Sequence, residues 1–139
     1  MKTYTSPRDL LAEIDQLLTA NKPEFGASPL DEVIEVLAEG RHYSWVGIYL
    51  ALDGGSQQIL GAGGEAGPAG VALPETRTRI LVSIKLAGRE LGLIAVESDR
   101  DYAFGHEDRV LLEDVADTLA RFLSGPGKYL VRRAKVQGR

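Results

Sequence analysis

The chain has 139 residues, 44% hydrophobic and 26% charged, enough for one domain whose core needs no covalent staples. It contains no cysteine, which removes disulfides, thiolate metal sites, thiol catalysis and thioether-linked cofactors together. The net charge of −4 divides unevenly: residues 1–125 carry 11 basic and 20 acidic side chains, a balance of −9, whereas 126–139 carry five basic ones and no acid.

The opening MKTYTSPRD lacks the apolar core of a signal peptide, and no apolar run approaches a membrane span. The expected location is the cytoplasm, with no membrane association. Ser6-Pro7-Arg8-Asp9 then starts a helix: a Ser cap, a Pro where the missing N–H costs nothing, and an acid three residues after the cap. Leu10, Leu11, Ile14, Leu17 and Leu18 recur at helical spacing until Asn21 and Pro23. Ser28-Pro29-Leu30-Asp31 repeats the start signal. Leu30, Val33, Ile34 and Leu37 form the buried stripe of this second helix, and Gly40 is the expected left-handed stop.

Residues 43–52, YSWVGIYLAL, read as a central strand, aromatic and β-branched with little charge. Asp53-Gly54-Gly55-Ser56 turns the chain into a shorter returning strand at 57–61, towards an edge. Residues 63–77 are rich in Gly and Pro and form a connector with too little apolar surface for a lid; 71–73 could add a short strand. In 79–86 the apolar residues Ile80, Val82, Ile84 and Leu86 alternate with Arg79, Leu81, Ser83 and Lys85. A turn at 87–89 leads to a return strand over 90–97, in which Gly92 allows another backbone to approach. Gly105 opens the last core helix, with Glu107 and Asp108 at the positive end of its dipole and a stripe from Leu111 to Leu123. The basic tail, 126–139, extends the helix by a turn or two or stays in solvent. This order predicts an α+β fold: an antiparallel sheet of four to five strands with its helices on one face, as a single domain over 1–125.

Taken in order, SWVGIYL (44–50), ILVSIKLAGRELGLIAVES (80–98) and FGHEDRVLLEDVADTLARFL (104–123) resemble a GAF domain. The match covers most of residues 30–123. Within that family, SWVGIYL and the segment ESDRDYAFGHED are most similar to the free methionine-(R)-sulfoxide reductases. The resemblance implies that Trp45 and Tyr49 are pocket aromatics, that Glu97 is the second of two acidic residues, and that Ser98 also matches; Ala95 stands where the first acid belongs. The cysteines of those enzymes are missing, together with the segment that bears them. Sulfoxide reduction by thiol attack needs a thiolate, so the resemblance does not carry that activity to this chain.

Trp45, Tyr49 and Glu97 could line a remnant pocket, with aromatic walls for an apolar or cationic group and a carboxylate for a positive one. The alternative is that both aromatics pack between sheet and helices while Glu97 is an exposed strand end. Glu97, Asp99, Asp101, Glu107 and Asp108 fail the calcium-loop spacing and read as a solvated turn with helix-dipole acids. The GAGGEA run at 61–66 satisfies a dinucleotide pattern but no helix follows it. His42 and His106 have no partner at metal-ligand spacing. Phe104 and Asp108 echo part of a cyclic-nucleotide GAF pattern, but Arg109 stands where that pattern has Glu.

The expectation is a non-enzymatic module with no metal and no cofactor, acting as a homodimer through its terminal helices. A small-molecule sensor with a reduced pocket is the alternative. Catalysis with Glu97 as a general base lacks a nucleophile or partner acid, and nucleic-acid binding by the tail, with five charges and one aromatic, Tyr129, is a minor reading beside a solvated terminus.

Overall fold

The computed structural model describes residues 4–22, 28–64, 78–98 and 104–137. The first helix, α1 (Pro7–Ala20), starts as its capping residues dictate: Ser6 is extended and its Oγ accepts the Asp9 N–H at 3.2 Å. Leu10, Ile14 and Leu18 form its buried stripe. In α2 (Leu30–Arg41) the Ser28 hydroxyl accepts the Leu30 N–H at 3.2 Å, and Leu30, Val33, Ile34 and Leu37 face the core.

Gly40 is not the helix stop. It lies inside α2, where a Cβ would press to 2.7 Å from Leu10 Cδ2, so the glycine is needed for close packing of α1 on α2. The left-handed position falls instead on His42, at φ 58°, with its ring edge-on to Tyr4 at 4.8 Å. Sequence alone favours Gly at such a position because it carries no Cβ strain; here the need for space at the helix crossing decides.

Four strands follow: β1 (Trp45–Ala51), β2 (Gln57–Gly63), β3 (Thr78–Leu86) and β4 (Arg89–Ser98). They form one sheet in the order β2-β1-β4-β3, every neighbour antiparallel. The two hydrophobic strands β1 and β4 are central, as their composition requires, and β2 is an edge. The β1–β2 turn is a 3-10 turn over Asp53–Gly55, with Gly54 and Gly55 at φ 85° and 87°. The β3–β4 turn puts Ala87 and Gly88 at φ 54° and 79°, a two-residue primed turn that matches the sheet twist. Gly92 lets the backbone of Tyr49 close on it, since a Cβ there would collide with the Tyr49 carbonyl. The possible short strand at 71–73 lies outside the described residues.

Alternation sorts the sheet's two faces. Val46, Ile48, Ile80, Val82, Ile84, Ile94 and Val96 point into a core shared with the buried stripes of α1, α2 and α3 (His106–Leu123). The helices therefore cover one face, with α2 on β1 and β2 and α3 on β3 and β4, while α1 packs on α2 and α3.

The tail differs from its sequence appearance. Residues Lys128–Gln137 are a helix, α4, docked on β2 and α3, with Leu130 and Ala134 buried and the Tyr129 hydroxyl accepting from Asn21 Nδ2 at 2.7 Å. Two small apolar contacts one turn apart are enough to seat it, a signal that the surrounding charge conceals.

Candidate functional site

On β1 the residues opposite the core side are Trp45, Gly47 and Tyr49. Cross-strand pairing sets Trp45 against Glu97 on β4, and Glu97 against Arg79 on β3, so the three form one row across the sheet. Arg79 Nη2 donates to Glu97 Oε2 at 3.1 Å; the carboxylate is 1% exposed, whereas the arginine is half exposed. The Trp45 indole is 4% exposed and folds back over Gly47, where a Cβ would overlap its six-membered ring. Its ring centre is 6.4 Å from that of Tyr49, tilted at 50°. The Tyr49 hydroxyl is held above its ordinary pKa by burial and by the Glu97 carboxylate, partly offset by Arg79.

The three residues singled out in the sequence are therefore gathered on one face, opposite the helices. Two details of the alternative reading are corrected. Trp45 is outside the cluster that packs between sheet and helices, and Glu97 is among the most deeply buried side chains rather than an exposed strand end. The shared face follows from period two: Trp45 is odd-numbered in a strand whose even positions serve the core, and Glu97 is its direct neighbour on the next strand. Ala95 is buried and stands opposite Gly47 in the adjoining row, so that row has two small residues next to the tryptophan. Ser98 is buried, and its carbonyl accepts from the Thr78 hydroxyl at 3.3 Å.

A second polar centre was not legible in the sequence. Arg41, at the end of α2, sends Nε and Nη2 to Asp108 Oδ1 at 3.4 and 3.3 Å, and Nη1 to the Thr5 carbonyl at 3.0 Å. Tyr43 donates to the same Oδ1 at 2.6 Å, while Oδ2 accepts the Gly105 N–H at 3.2 Å and so caps α3. Burial pushes the Tyr43 hydroxyl far above its ordinary pKa, reinforced by its bond to Asp108 and that carboxylate's charge. Burial alone would lower the Arg41 guanidinium, but Asp108 and Tyr43 outweigh it and hold it above its ordinary value. In the sequence Asp108 stands as a helix-dipole acid; its cationic partner lies 67 residues away, beyond any spacing rule.

The other motifs resolve into packing. Gly61 and Gly63 give way to Ile34 of α2, and a Cβ at Gly64 would meet the Ser44 carbonyl. His106 is exposed at the start of α3. Among the described residues no group of three His, Cys, Asp or Glu side chains could hold a metal ion; Asp99 and Asp101 lie outside them. One cavity of about 190 Å³ lies away from Trp45, between α4, β2 and the start of α2, lined by residues that include Leu30, Leu60, Leu130 and Arg133.

An antiparallel β2-β1-β4-β3 sheet with helices on one face is the GAF-like fold. Among solved structures, the chain superimposes on the GAF domain of an Acinetobacter phosphoenolpyruvate-protein phosphotransferase with a TM-score of 0.67 at 14% identity, covering 88% of this chain and 96% of that one. It superimposes on the free methionine-R-sulfoxide reductase of Neisseria meningitidis, a structure in complex with its substrate, with a TM-score of 0.64 at 17% identity, covering 100% of both chains. A domain of a putative two-component sensor histidine kinase from Sinorhizobium meliloti matches at TM-score 0.53 and 15% identity, covering 77% and 99%. No family model and no curated protein matches the sequence.

Proposed function

We propose that this chain is a non-enzymatic GAF-like sensing module that takes a small ligand on the outer face of its sheet, against Trp45, Tyr49 and Glu97. The observation that carries this is the Glu97 carboxylate, 1% exposed and set directly beside a buried indole. A buried carboxylate with an aromatic wall suits a small molecule bearing an ammonium and an apolar portion. The similarity to a domain of a sensor kinase supports a signalling role, and the similarity to a reductase in complex with its substrate supports a small-molecule site. The chain supplies no thiol for reductase chemistry.

The test is thermal unfolding against amino acids and small amines. A ligand at a hundredfold excess over its Kd raises stability by about 2.7 kcal/mol. Trp45→Ala and Glu97→Gln should each abolish that rise while the ligand-free proteins still unfold cooperatively. Trp45 is the single tryptophan, so its fluorescence reports the site directly. If no amine or amino acid shifts either signal, the reading is wrong.

Self-association through the terminal helices is the second reading. It is favoured by the exposed Val110 on α3 and Val136 on α4, 40% and 69% accessible.

A further inference from the structure

Two helices present opposite charge along their outward faces. On α4 the buried residues are Leu130 and Ala134; at about 100° per residue, Lys128, Arg132 and Lys135 fall in a narrow stripe on the opposite side, and all three are exposed. On α2 the buried residues are Leu30, Val33, Ile34 and Leu37, and Glu32, Glu35 and Glu39 fall on the side directly opposite, again all exposed. Neither stripe contains a charge of the other sign. Among the described residues none of these six side chains is in an ion pair.

The spacings correspond. Along α4 the cations stand four and then three residues apart. Along α2, in reverse, Glu39, Glu35 and Glu32 stand four and then three residues apart. With the helices antiparallel, Lys128 faces Glu39, Arg132 faces Glu35 about 6 Å further on, and Lys135 faces Glu32 at about 10.5 Å. Each stripe points away from its own body, so the two cannot meet within one chain.

We infer that α4 of one copy docks antiparallel on α2 of a second copy through these three charge pairs. This rests on the self-association reading above and changes one of its surfaces: α4 is terminal, whereas its partner α2 is an internal helix. The occupant is chosen by charge: a body carrying −9 over residues 1–125 repels a nucleic acid from the basic helix, whereas it supplies that helix with an acidic partner. Exposed pairs are individually weak and screened beyond about 10 Å at 0.1 M salt, so the contact is reversible and salt-sensitive.

Sedimentation of the full chain across micromolar to millimolar concentrations tests this. At low salt the average mass should rise above 15.0 kDa with concentration, and the association constant should fall roughly tenfold or more by 0.5 M salt. The triple variant Lys128→Glu, Arg132→Glu, Lys135→Glu should be monomeric, as should Glu32→Lys, Glu35→Lys, Glu39→Lys. An equimolar mixture of the two should associate again, because each then offers what the other lacks. Association of the unmodified protein that survives in both variants overturns this pairing while leaving self-association intact. A wild-type monomer at every concentration and salt overturns both. Variants that stay monomeric in the mixture, although folded by circular dichroism, overturn the pairing.

Discussion

Ala87 is the clearest local mismatch between residue and backbone. It occupies the first position of the β3–β4 turn at φ 54°, where a Cβ crowds the following carbonyl, and the neighbouring Gly88 has no such cost. Asn tolerates this conformation in two-residue hairpins. Ala87→Asn should therefore raise stability by about 0.5–1 kcal/mol in urea unfolding, without altering the sheet's register.

Tyr43 makes stability depend on alkaline pH. Its folded-state pKa is raised, so above the unfolded value of about 10 the unfolded chain sheds a proton that the folded chain retains. The stabilisation is complete below that pH and is lost as pH rises further. The thermal midpoint should fall above about pH 10. Tyr43→Phe should lower stability at neutral pH by about 1–3 kcal/mol, because Asp108 loses a buried donor, and should flatten the alkaline fall. Tyr49 is raised in the same direction, so the fall should shrink rather than vanish.

At the scale of elements, most boundaries follow from local chemistry. Ser6, Pro7 and Asp9 start α1, alternation in β3 holds through buried Ile80, Val82 and Ile84 but breaks at a register shift between Ile84 and Lys85 that leaves Leu86 exposed, and Asp108 caps α3. The exceptions are positions where one element answers to another. Gly40 reads as a stop but serves a helix crossing, and α4 reads as a solvated tail but seats Leu130 and Ala134 on the body. Leu130→Ala should cost about 2 kcal/mol and speed amide exchange throughout 128–137 more than in α3, since α4 rests on few buried side chains.

Over the whole molecule, the fold separates two surfaces. The helices take one side of the sheet, and Trp45, Tyr49, Glu97 and Arg79 take the other. The ligand test reads the second surface through the single tryptophan, and the charge-swap test reads the outward stripes of α2 and α4 through mass. Because the two sets of residues share no member, success of either leaves the other open to refutation. Among the described residues no helix is long and apolar enough to cross a membrane.

By itself the sequence determined the α+β class, the central placement of β1 and the helix starts, and it singled out Trp45, Tyr49 and Glu97 as candidates. These depend on periodicity and capping, which act over a few neighbours and leave their mark in local order. Only the tertiary structure decided that Glu97 is buried beside Trp45, that Arg41 meets Asp108 across 67 residues, and that Gly40 yields space to Leu10. Those relations arise from strand register and helix crossing, which join residues far apart in the chain and depend on how the whole core closes.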